Sequence, residues 1–179
     1  HPMAGSHDRG LAHARADLFE GACCVVTPAD DAPREAADSV SRFWEALGAR
    51  VVVRSPREHD AEVAWVSHLP HLLAFAFAEA LRGAPTPALE LAGSGFADFT
   101  RIARSDPGLW SGIFGSNHEA LAGPVRRFGE ALESMACAME EGDTEVQERM
   151  LASARAILLE MDLERADRGA RCGTRPIRG

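Results

Sequence analysis

Gly21-Ala22-Cys23-Cys24-Val25-Val26-Thr27 is a short apolar run stopped by Pro28, and its length and Val content read as a buried strand. Arg50-Val51-Val52-Val53-Arg54, closed by Ser55-Pro56, reads as a second. Between them Val40, Phe43, Trp44 and Leu47 recur at spacings of three and four, the apolar face of one helix. Asp30 or Asp31 is the expected cap of that helix, Pro33 lies in its first turn, and Gly48 ends it. Strand, helix, strand is an α/β unit. Two strands alone leave open edges, so the unit is expected to be a remnant of a larger sheet. Residues 1–17, polar and rich in Gly and His, read as a loop. The opening His1, in place of Met, reads as a cut from a longer sequence.

Beyond Pro56 the pattern turns helical. Arg57 to Arg82 reads as one long helix, apolar nearly all round its second half and kinked at Pro70. Gly83 to Pro87 breaks it, Thr86 is placed to cap a short helix from Pro87 to Leu91, and Gly93-Ser94-Gly95 reads as a loop. Asp98 to Ala103 is a short helical segment, and Ser105-Asp106-Pro107 is a strong helix start. Two further helices are expected over about Asn117 to Met139 and Thr144 to Arg165, and Arg168 to Gly179 reads as a disordered tail. The fold class is therefore mainly α, an all-helical domain over 56–166 behind an α/β remnant over 1–55, with a tail over 167–179.

Composition narrows the chemistry. The 179 residues hold 19 Lys+Arg against 27 Asp+Glu, a net charge of −8, which disfavours general nucleic-acid binding. All 19 are Arg, so no lysine is present for a Schiff base or a phosphate loop. The longest apolar run, Leu69 to Leu81, is broken by Pro70, His71 and Glu79 and is too short for a bilayer, and no secretory leader is visible. Cys23, Cys24, Cys137 and Cys172 form no Cys-x-x-Cys and read as small buried hydrophobes of a reducing cytoplasm.

His68 and His71 sit three apart in Ser67-His68-Leu69-Pro70-His71, on one side of the long helix. His59, nine residues before His68, falls on roughly the opposite side of an ideal helix. A zinc-protease pair needs spacing of four with a Glu between, so no metal site is expected. The remaining readings are core histidines or the lining of an anion-binding cleft. Asp98 and Arg101 sit three apart and either pair on a helix surface or serve a ligand. Phe99 and Ile102 flank Arg101 and imply partial burial, where a guanidinium needs an anion and suits a carboxylate. No Gly-x-Gly-x-x-Gly occurs, so the chain shows no cofactor-binding fingerprint.

His1-Pro2-Met3-Ala4-Gly5-Ser6, Ala16-Asp17-Leu18-Phe19-Glu20-Gly21, Thr27-Pro28, His59-Asp60, Ser67 to His71 and Asp98 to Pro107 occur in the order seen in prephenate/arogenate dehydrogenases, which this chain resembles over about residues 1–135. The resemblance implies NAD- or NADP-dependent oxidative decarboxylation of prephenate, or of arogenate, in tyrosine biosynthesis. It implies a Rossmann domain followed by a helical domain that forms a homodimer, in the cytoplasm, with no nucleic acid or membrane as partner. By position His1 matches the catalytic histidine that accepts a hydrogen bond from the substrate hydroxyl. His71 and Arg101 match residues that hold carboxylates, and Ser6, His59, His68, Asp98 and Trp110 match surrounding cleft positions. The isolated chain, without the glycine fingerprint, is expected to be inactive. A non-catalytic helical dimerisation module is the alternative, and a histidine-based metal hydrolase the poorest match.

Overall fold

The computed structural model describes residues 1–4 and 10–172. They divide into two compact units, one up to Val125 and one from Arg126 onward. In the first, β1 (Cys23–Val26) and β2 (Arg50–Val53) pair in parallel, with Cys23 opposite Arg50 and Val26 opposite Val53. α1 (Arg34–Ala46) connects them. Its cap differs from the expectation: Pro33 occupies the N-cap position and no side chain caps the helix there. Gly48, at φ +82°, makes the left-handed exit that any Cβ would strain. The apolar face of α1 is only partly covered. Trp44 packs edge-on against Phe19 at 5.2 Å, while Phe43 remains 58% exposed.

The first residues are not loop throughout. The His1 nitrogen donates to the Val25 carbonyl at 2.6 Å, Val25 N–H returns a bond to the His1 carbonyl at 2.9 Å, and Met3 N–H donates to Cys23. An antiparallel ribbon thus covers the other edge of β1. A strand edge attracts any chain that can satisfy its backbone groups, and polarity alone did not reveal this one.

The long helix is three pieces: α2 (Pro56–Val63), a π turn (Ala64–His68) and α3 (Leu69–Ala80). Ser55 and Glu58 close a capping box at the start of α2. Pro70 explains the π turn. Its ring crowds the carbonyl one turn back and it has no N–H to offer. Leu69 N–H instead reaches the Ala64 carbonyl, five residues back, and the widened turn absorbs the proline. Ala64, Leu69 and Leu121 form the buried core here, packed by Leu72, Leu73, Phe114 and Val125.

Ser94 already lies in α4 (Ser94–Arg101), so the expected glycine loop is shorter than read. Phe77 of α3 meets Phe99 at 5.1 Å and Phe96 at 6.1 Å, which seats α4 on α3. Asp106 accepts from Leu109 N–H at 2.9 Å and starts α5 (Pro107–Ser116) as expected. α6 (His118–Glu140) and α7 (Thr144–Cys172) follow. Asp143 caps α7 through Val146 N–H, and that helix runs past the expected Arg165. Cys24 is fully buried, but Cys137 is exposed, against the expectation of buried thiols.

Candidate active site

The π turn decides where the histidines stand. A wider turn rotates each residue less about the axis, so His68 no longer lies opposite His59 as an ideal helix would place it. Asn117, 8% exposed and at the junction of α5 and α6, joins the two segments. Its Nδ2 donates to the Asp60 carbonyl at 2.9 Å and to His68 Nδ1 at 3.0 Å. Since the carbonyl only accepts, the amide orientation is fixed, and so is the His68 tautomer: Nδ1 accepts and Nε2 carries the hydrogen. Burial, then the nearby His59 charge, pushes the His68 pKa below the usual histidine value, with Asp60 opposing.

His71 is set the other way. Its Nδ1 donates to the Ser67 carbonyl at 2.9 Å, one helical turn back. Its ring lies flat on Trp110, centroids 3.6 Å apart and planes 18° apart. Trp110 is 8% exposed and also meets His68 edge-on at 6.3 Å. With Nδ1 engaged, Nε2 of His71 donates to an anion only when the ring is doubly protonated.

His1, on the ribbon beside β1, meets His59 of α2 with Nε2 atoms 2.7 Å apart. Asp60 Oδ1 lies 2.9 Å from His59 Nδ1. His59 is mostly buried (19% exposed) and Asp60 half exposed. The structure therefore links His1, His59, Asp60, Asn117 and His68 through hydrogen bonds, and His68 and His71 through Trp110.

Arg101 ends α4, directly after the buried Thr100, whose hydroxyl donates to the Phe96 carbonyl at 2.8 Å. Arg101 and Asp98 are exposed, so the partial burial inferred for Arg101 from its apolar neighbours is wrong. Phe99, too, is exposed, which removes the cover that inference relied on. α4 and the turn after it pack on α3, the helix that carries His71. Ser6 lies outside the described residues. Among the described residues no group of three or more His, Cys, Asp or Glu is arranged to hold a metal ion.

The prephenate dehydrogenase dimerisation domain matches residues 55–153, and the prephenate dehydrogenase nucleotide-binding domain matches residues 1–53. The chain belongs to the prephenate dehydrogenase family. It is 32% identical over 149 residues to a cyclohexadienyl dehydrogenase of Zymomonas mobilis, covering 80% of this chain and 51% of that protein. A prephenate dehydrogenase from A. aeolicus, solved with hydroxyphenyl propionate and NAD+, superposes with a TM-score of 0.80 at 33% identity, over 90% of this chain and 57% of that one. A Synechocystis arogenate dehydrogenase gives 0.76 at 27% identity, over 90% and 60%. The chain spans about half the length of the curated relatives it matches.

In this member of the prephenate dehydrogenase family, the start of α1 is not built to hold a phosphate. α1 opens on Pro33 with Asp30, Asp31 and Glu35 around its start, where a phosphate would need donors and positive charge. No residue of this chain is assigned to the cofactor. Asn117 is the site residue that the sequence reading missed. Its signal was weak: an Asn at a helix start is an ordinary cap. Asp60 was noticed only as His59's neighbour.

Proposed function

We propose that this chain is the substrate-binding and dimerising part of a cytoplasmic, homodimeric enzyme that oxidatively decarboxylates prephenate with NAD or NADP. Residues 1–55 belong to the nucleotide-binding domain and 56–166 bind substrate and dimerise; the tail expected from 167 is helical as far as Cys172. His1 accepts the hydrogen bond of the substrate hydroxyl. His71, as an imidazolium, and Arg101 hold the carboxylates. His59, His68, Asp98 and Trp110 line the cleft. A bound nicotinamide would supply the hydride acceptor for the hydroxyl-bearing ring carbon, and residues 1–53 belong to the domain that would hold it.

The observation that carries this reading is the clustering of His1, His59, His68 and His71 around Asp60, Asn117 and Trp110. It gathers a proton acceptor, His1, and a donor that is cationic when protonated, His71, which suit a hydroxylated dicarboxylate. The exposed guanidinium at the end of α4 extends the set to a second carboxylate. Arogenate is the second reading, supported by the resemblance to an arogenate dehydrogenase. It differs by an amino group where prephenate has a keto oxygen, so a kcat/KM comparison of the two substrates decides between them. The test of the function is turnover by the full-length parent. Prephenate and NAD+ or NADP+ should yield 4-hydroxyphenylpyruvate and CO2, and neither prephenate nor arogenate turning over would sink the reading. The isolated 179 residues should not reduce NAD+ at a useful rate.

A further inference from the structure

The hydrogen bonds that end on His1 fix where each proton sits. A carboxylate only accepts, so the contact to Asp60 Oδ1 puts a hydrogen on His59 Nδ1. In the neutral ring, His59 Nε2 then holds a lone pair. The 2.7 Å contact between the Nε2 atoms therefore puts the hydrogen on His1 Nε2. Neutral His1 keeps its lone pair on Nδ1. The Pro2 carbonyl lies 3.5 Å from that atom, too far to demand a hydrogen there.

We propose that His1, His59 and Asp60 form a proton store, in which the substrate hydroxyl gives its proton to His1 Nδ1, His1 passes its Nε2 proton to His59 Nε2, and the new imidazolium rests beside the Asp60 carboxylate. The proposal rests on the reading of the reaction given above. Its atom balance favours a store over a channel to solvent. As hydride leaves the ring carbon for the nicotinamide, the O–H bond breaks and a C=O bond forms. The ring carboxylate then leaves as CO2, its bonding pair enters the ring, and the carbonyl oxygen becomes a phenolate. The phenolate takes the proton back and becomes a phenol. The hydroxyl proton is lent rather than released, so the base needs a nearby place to keep it.

The surroundings leave Asp60 as the carboxylate for this role among the described residues. On α2, Glu58 is turned to the Ser55 cap and Glu62 to Arg54 at 2.7 Å. From the π turn, His68 shares the Asn117 amide with the Asp60 carbonyl, its Nδ1 accepting from that amide. On α3, His71 is held against Trp110. From the ribbon comes His1 itself. In this arrangement Asp60 and His59 are positioning residues that act through His1.

The test uses the full-length parent with prephenate and its nicotinamide cofactor. His59→Gln and Asp60→Asn should each lower kcat about tenfold, less than the 10²–10⁴-fold of a directly acting base, with KM within about twofold. In Asp60→Asn the acid limb of the kcat profile should move to lower pH, because the imidazole pair loses the carboxylate that favours its charge. Asp60→Glu keeps the charge and should keep the wild-type limb. If Asp60→Glu behaves like Asp60→Asn, or if both neutral variants change KM alone, the store is wrong. Unchanged kinetics in both, with His1→Ala still crippled, also overturns the store and leaves the reaction assignment standing. If His1→Ala is unaffected as well, the assignment itself fails.

Discussion

The histidine side of the candidate site and its arginine side are built in opposite ways. His59, His68 and His71 each have a ring nitrogen committed to a neighbouring group, to Asp60, Asn117 and the Ser67 carbonyl respectively. Their rings are partly buried, and Trp110 clamps His71 from one side. Arg101 stands exposed at the end of an eight-residue helix seated by Phe77. Preorganised groups serve the bond-breaking step, because their geometry is set before substrate arrives. An exposed cation attracts and retains an anion but is screened by salt. The two sides should therefore fail differently: one in turnover, the other in binding.

The largest effect tests the first half of that contrast. In the full-length parent, His1→Ala should lower kcat by about 10²–10⁴-fold with little change in KM, the ordinary loss of a general base. A loss confined to KM would move His1 from chemistry to binding and erase the distinction. Next, Arg101→Ala should raise KM by roughly 10–100-fold, the worth of a charge-assisted hydrogen bond of about 1.5–3 kcal/mol. The wild-type KM should rise with ionic strength and that of Arg101→Ala should respond less. Arg101→Lys should recover only part of the binding, since an ammonium lacks the planar fork. Steady-state kinetics at two salt concentrations reads all three.

A smaller effect sharpens the histidine side. Asn117→Ala removes the shared donor and leaves the Asp60 carbonyl and His68 Nδ1 without it. The expected loss is about 1–3 kcal/mol of stability, read by denaturant unfolding of the parent. Asn117→Asp should be worse than Ala for His68, because a carboxylate demands a hydrogen on Nδ1 and so reverses the tautomer. NMR of the imidazole nitrogens would show the reversal, and an unchanged tautomer would remove Asn117 from the positioning role.

How much of this was legible in the sequence depends on the range of the interaction. The two strands, the body of α1 and the Asp106 helix start follow local rules, and the structure has them where those rules put them; the start of α1, capped by no Asp, does not. The spacing of His68 and His71 likewise announced a shared side. The His1 ribbon was not legible, because pairing with β1 joins residues more than twenty apart. Neither was the closeness of His59 to His68. An ideal helix sets them on opposite sides, and only the π turn relieving Pro70 alters that. Arg101 failed for a simpler reason: apolar neighbours in sequence do not bury a residue when one of them, Phe99, packs on Phe77 and still stays 47% exposed. Asn117 was invisible because its two partners come from other segments.

The smallest expected effect is a pH dependence of stability that belongs to the histidine side alone. Burial holds the His68 pKa below its ordinary value of 6.5. Above 6.5 the ring is neutral in both the folded and the unfolded chain, so it adds no pH dependence. As pH falls through 6.5 the unfolded chain takes up a proton that the folded one resists, and stability declines. The decline continues through the depressed folded value and stops below it. Thermal unfolding of the parent between pH 8 and pH 5 should therefore show a loss that His68→Gln reduces, since glutamine does not titrate and still offers an oxygen to Asn117. The carboxylates that the structure shifts, Asp17 and Glu58, are shifted downward and titrate below this window. Arg101→Ala should leave the slope as it is in wild type. A slope that follows Arg101 rather than His68 would mean that the exposed side, not the partly buried one, couples protonation to folding, and the contrast between the two sides would be reversed.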